Sequence, residues 1–170
     1  MNLEKVKEFP ISIYSFEKGE VLSKARARIF YLGANRNASF ITDAFAEKLL
    51  SSIPYTPIKG IYENEDYSDH GESRSEGRIY GIVPENPNLK WETHQDEDGV
   101  YRDYACVDVL LFTAIYPEAQ YIVGKSLSME LHQPSLMGAW KNVDGQQLYV
   151  FTEGSFLGLQ VLGEGKEPCF

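Results

Sequence analysis

At 170 residues, with 43% hydrophobic and 13% aromatic side chains, the chain is long enough for one domain with a sizeable core, and its composition excludes a disordered protein. A formal net charge of -9 excludes nucleic-acid recognition through the global field, because phosphate binding needs basic surface. Two cysteines, Cys106 inside an apolar run and Cys169 beside the last residue, make no disulfide framework and no CxxC pair, which fits a reducing cytoplasm.

No apolar run approaches the roughly 18 residues of a membrane span, and the opening MNLEKVKEFP has no hydrophobic signal core. Neither membrane insertion nor secretion is expected. The chain stops on EPCF without a polar tail, which points to a domain cut from a longer protein.

Taken in chain order, β-branched and aromatic runs between turn signals predict strands at 11–16 and 25–32. Thr42 then caps TDAFAEKLLSSI, where Ala44, Phe45, Leu49 and Ile53 recur at roughly helical spacing and Pro54 ends the helix. Strands follow at 58–62, 77–83 and 101–113. The acidic segment from Glu63 to Glu76 and the polar one from Pro84 to Gly99 read as loops. A second helix is predicted from Pro117 to the stop at Gly124, and further strands at 126–131, 147–152 and 156–162. Asp98-Gly99 and Asp144-Gly145 are hairpin-type turns, the second joining WKNV to QQLYVF. Many strands with two helices and no regular alternation point to an α+β or barrel-like β fold in a single domain spanning 1–170.

The stretch GKSLSMEL alternates Ser126, Ser128 and Glu130 with Leu127, Met129 and Leu131. Period two makes it a half-buried strand, with the apolar set toward a core. Both serines then share a face, so patterning alone does not separate a nucleophile from a solvated side chain. Three histidines could act as a base. His70 stands at a loop-strand junction, where a base is both placed and exposed. His94 lies in an all-polar stretch. His132 follows Ser128 by four positions, roughly 13 Å along a strand, which makes it peripheral.

The acidic run around His70 lacks the DxDxDG spacing of a calcium loop and the His or Cys count of a zinc site, so it reads as a solvated charge run. Nucleophilic catalysis by serine needs a base within reach and a third group that orients the base. His70, Ser128 and Glu153 supply these residue types in that order.

The string DHG...GRIYGIV...YACVDVLLFTAIYPEAQYIVGKSLSMEL...FTEGSFLGLQVLGEGKEPCF resembles the capsid maturation (prohead) proteases of tailed bacteriophages. These are similar in fold to the herpesvirus assembly proteases. The resemblance covers roughly residues 29–170. Asp69-His70-Gly71 before Gly77-Arg78 looks like the family's histidine region, and Ser128-Met129-Glu130-Leu131 looks like its serine strand. Glu153-Gly154-Ser155-Phe156 resembles the glutamate strand of many phage relatives, while Asp43 is the nearest match to the aspartate that some scaffold-fused enzymes use. Of these, Glu153 is the better match. The usual Pro-Ala-Asn after the last strand is replaced by Gly-Lys-Glu-Pro. No arginine follows Arg102 to match the herpesvirus oxyanion pair, and Lys166 is not an equivalent fork of donors.

The resemblance implies an assemblin-like fold, a β-barrel-like core of mostly antiparallel strands flanked by a few helices. It implies a serine endopeptidase with Ser128 as nucleophile, His70 as base and Glu153 as orienting acid, without metal or organic cofactor. The implied substrates are scaffolding protein, the major capsid protein and the chain itself, inside the procapsid in the host bacterial cytoplasm. A C-terminal scaffolding extension would confine the enzyme there, and a homodimer is among the assemblies the herpesvirus relatives suggest. The rival class is an inactive scaffold or capsid-assembly factor of the same fold.

Overall fold

The computed structural model describes residues 11–68 and 77–163. In chain order the strands are β1 (Ile13–Glu17), β2 (Ser23–Tyr31), β3 (Gly33–Ala34), β4 (Ser39–Ile41), β5 (Pro57–Gly60), β6 (Tyr62–Glu63), β7 (Asp66–Tyr67) and β8 (Arg78–Ile82). They continue with β9 (Lys90–Gln95), β10 (Tyr101–Leu111), β11 (Ser126–Leu131), β12 (Met137–Val143), β13 (Gln146–Glu153) and β14 (Phe156–Leu162). Helix α1 (Asp43–Leu50) sits between β4 and β5.

A large sheet runs β1-β2-β10-β8-β5-β14-β11, with β9 added on β10. A second sheet runs β12-β13-β4-β3, and β6 pairs with β7. None of the helices among the described residues is long and apolar enough to cross a membrane.

The expected α+β fold with a barrel-like core flanked by helices is overturned. Among the described residues 54% are strand and 12% helix, and the sheets they form do not close into a barrel, so the fold is all-β in character. The end strands of the large sheet meet through an isolated bridge, Ser12 to Ser126, rather than a ladder.

The helical signals were real but short. Thr42 does cap α1, its Oγ1 accepting from the Phe45 N–H at 3.1 Å, yet the helix has only eight residues. The segment opened by Pro117 winds as a 3-10 helix, Pro117–Ile122, the geometry chains use for short connectors.

Strands β3, β4, β7 and β9 lie where the sequence showed none. β9 occupies the segment read as a loop, because KWETHQ has no apolar face. It pairs antiparallel along the outer half of β10, and its residues are mostly exposed. β12 completes the predicted hairpin: Asp144 and Gly145 both take positive φ, 51° and 86°, as a tight two-residue turn requires. At Asp98-Gly99 only Gly99 is left-handed, and the turn closes with the Asp96 N–H on the Val100 carbonyl at 3.0 Å.

The core forms where inward faces meet. Ile58, Leu127, Leu159 and Val161 are fully buried on one side of β5, β11 and β14, while Phe45 of α1 stacks on Phe151 of β13 at 5.3 Å. Several buried phenols join it. Tyr67 donates to the Glu118 carbonyl at 2.7 Å, Tyr80 to the Glu118 carboxylate at 3.0 Å, and Tyr104 to Asp96. Burial pushes all three hydroxyls far above the usual tyrosine range and the Cys106 thiol up to about 11.

Raised values mean that the folded state holds these protons more tightly than the unfolded state does. The stability they contribute is complete below about pH 9 and is lost as pH climbs through the unfolded values toward the folded ones. Of the 11 tyrosines, these three are therefore expected to ionise only together with loss of near-ultraviolet circular dichroism. Smooth tyrosinate formation with intact circular dichroism would contradict this.

Candidate functional site around Ser128

β11 is buried on both faces. Leu127, Met129 and Leu131 meet the core as their period of two predicts, but Ser126 is 4% exposed and Ser128 is 0% exposed, so neither serine faces water. The reason lies in register. β11 pairs antiparallel with β14, placing Ser126 opposite Leu162, Ser128 opposite Gln160 and Glu130 opposite Gly158. β14 runs parallel to β5, with Gln160 beside Lys59.

Side chains in one cross-strand row project from the same face. Ser128, Gln160 and Lys59 therefore form a polar row on the sheet face opposite the core, with Glu130 two positions along from Ser128. Each of Ser126, Ser128 and Glu130 has an interaction partner.

Lys59 Nζ lies 2.9 Å from Glu130 Oε2, both side chains largely shielded. Gly158 makes room for this pair, since a Cβ there would sit 3.0 Å from Lys59 Cδ and 3.6 Å from Glu130 Oε2. An ammonium so engaged is a donor and has no lone pair with which to take a serine proton.

Gln160 is different. It is 3% exposed, and its Nε2 is buried without a hydrogen-bond partner. Leaving such a donor unsatisfied costs about 1–3 kcal/mol, so a purely structural role would favour an apolar residue there, as at its neighbours Leu159, Val161 and Leu162. Near this row, β7 lies against the end of β14: a Cβ on Gly163 would clash with the Tyr67 carbonyl, and Lys125 Nζ holds Asp66 Oδ1 at 2.9 Å.

Those of the other sequence-predicted residues that the structure describes are spread out. His70 and Lys166 lie outside the described residues. Glu153 ends β13 in the other sheet, where its half-exposed carboxylate pairs with Lys48 Nζ at 2.6 Å. Asp43 is an exposed residue of the first turn of α1. His132 is exposed just past β11, where its carbonyl accepts from the Ser135 hydroxyl at 2.6 Å. His94 is exposed on β9, Nδ1 3.1 Å from Asp96.

The structure thus aligns Ser128 with Gln160 and Lys59 and sets Glu130 along the same face, while Glu153 ends a strand of the other sheet. Sequence reasoning did not single out Gln160 or Lys59. The available signal was a lone amide in the apolar run GLQVL and a lone lysine in PIKGI. Among the described residues no cluster of three or more His, Cys, Asp or Glu side chains could hold a metal ion. Two clefts lie away from the row, one of about 610 Å³ lined by Leu50, Leu89 and Trp91, the other of about 490 Å³ lined by Tyr14, Arg28 and Asp96.

The YonD N-terminal domain family matches residues 21–170. No curated protein and no solved structure matches the chain. The family name is a phage-associated one, which agrees with the phage setting expected from the sequence and says nothing of proteolysis.

Proposed function

The chain belongs to the YonD N-terminal domain family, and on that phage-associated premise we propose that it is a serine endopeptidase of procapsid maturation with Ser128 as its nucleophile. The observation that carries this reading is the buried polar row Ser128–Gln160–Lys59 on the face of β11 and β14 turned away from the apolar core.

In the proposed reaction the Ser128 Oγ–C bond forms as the hydroxyl proton passes to His70, and the carbonyl π pair moves onto oxygen. Collapse of the tetrahedral species breaks the C–N bond, and His70 returns the proton to the leaving amine. Water repeats the sequence on the acyl-enzyme and restores the serine. The base is assigned from the resemblance in DHG. The substrates proposed on the same ground are the major capsid protein, the scaffolding protein and the chain itself.

Two carboxylates are candidates for the acid that orients His70. Glu153 matches the family pattern, whereas Glu130 lies roughly 7 Å from Ser128 along the same face. Losing the orienting carboxylate lowers turnover by about 10⁴-fold in a Ser-His-acid triad. Glu153→Gln and Glu130→Gln, compared in one assay, therefore assign the role.

The test is co-expression with the major capsid protein proposed as substrate, read by intact mass. Trimming of the capsid protein or of the chain itself supports the reading. Particles that assemble while every chain stays intact would overturn it in favour of a non-catalytic assembly factor.

A further inference from the structure

The Gln160 amide has a consequence for catalysis that the triad alone does not supply. Its Nε2 is buried and unpartnered, and its register partner across the β11–β14 ladder is Ser128. Directly opposed residues carry their Cβ atoms about 4.5–5.5 Å apart on one face. A glutamine side chain is long enough to span that gap toward the serine. The neighbouring cation is already committed, because Lys59 is held by Glu130 at 2.9 Å. Among the described residues of the row, the amide of Gln160 is thus the N–H donor left open, and it extends from the residue facing the nucleophile.

We propose that Gln160 Nε2 is the side-chain donor of the oxyanion site. It hydrogen-bonds the substrate carbonyl oxygen as Ser128 attacks and the negative charge collects there. This rests on the reading of Ser128 as nucleophile. The cost of the unsatisfied donor in the free protein is the cost of preorganisation: the donor meets its acceptor when the oxyanion forms, so the bond favours the transition state over the resting state.

The test uses the full chain and a small alkyl fluorophosphonate, with the labelling rate followed by intact mass and the site mapped by peptide mass. In this reaction a Ser128 Oγ–P bond forms, fluoride leaves, and the serine proton goes to the base. The phosphoryl oxygen occupies the oxyanion position.

Wild type is expected to label at Ser128. Gln160→Met, of similar length but without donors, is expected to label about 10²–10³-fold more slowly while melting no lower than wild type, because it removes an unpartnered buried donor. Gln160→Glu places an acceptor at the same point and is expected to be at least as slow.

Labelling of Gln160→Met within about threefold of wild type would overturn the donor role while leaving Ser128 as nucleophile. So would a fall in Tm of more than about 4 °C, which would mark the amide as a structural group. Failure of wild type to label at Ser128 would instead overturn the nucleophile reading, and the donor role with it.

Discussion

Ser128→Ala is expected to abolish trimming of the capsid protein, with turnover falling at least about 10³-fold and as far as about 10⁶-fold, the range seen when a serine nucleophile is deleted. The fold should survive. Ser128 is a small side chain in the middle of a ladder that runs from Ser126 opposite Leu162 to Leu131 opposite Phe156, and its backbone bonds are independent of the hydroxyl. Losing one buried hydroxyl interaction costs about 1 kcal/mol, a Tm shift of about 2–4 °C for a chain of this size. Activity and stability should therefore separate by orders of magnitude.

Ser126→Ala is the matched control. Ser126 lies on the same face and is 4% exposed, but stands opposite Leu162 rather than Gln160. It should keep trimming. Loss of trimming in Ser126→Ala with retention in Ser128→Ala would move the nucleophile two residues back along β11.

The largest stability effect is expected at Phe45→Ala, a loss of about 3–5 kcal/mol, the range for deleting a buried aromatic side chain. Phe45 is 1% exposed and anchors an eight-residue helix that is too short to persist without packing. Its ring stacks on Phe151 at 5.3 Å with an interplanar angle of 22°, and it closes over Gly154, where a Cβ would lie 3.2 Å from the ring. Removing it takes away the ring packing between α1 and β13.

By contrast, the nearby Lys48–Glu153 pair has both side chains about half exposed and should contribute no more than about 1 kcal/mol. Urea unfolding of Phe45→Ala and Lys48→Ala decides between packing and charge as the tie between helix and sheet. A Phe45→Ala cost near that of Lys48→Ala would mean that ring packing is not what holds α1 on β13.

Local features carried over faithfully from sequence to structure. The Thr42 cap, the Asp144-Gly145 turn and the inward set Leu127, Met129 and Leu131 each depend on chemistry within a few residues, namely a side-chain oxygen near free N–H groups, tolerance of positive φ, or a period of two. β9 was not legible because its stability comes from the ladder it adds to β10, not from an apolar face of its own. The eight- and six-residue helical segments were legible as signals but misleading as architecture, since their short runs do not outweigh the strands around them.

The sequence by itself determined that the chain is acidic, that it folds around an aromatic-rich core, and that Ser126 and Ser128 share a face of one strand. What surrounds that face was decided by tertiary structure alone. Gln160 and Lys59 are 32 and 69 positions from Ser128 in the chain, and only the antiparallel register of β11 on β14 and the parallel register of β14 on β5 align them. The same pairing buried both serines, while the pairing of β13 with β12 and β4 set Glu153 in the other sheet. Strand register is a long-range choice made by the packing of whole sheets, and a period-two pattern within one strand carries no record of its neighbours.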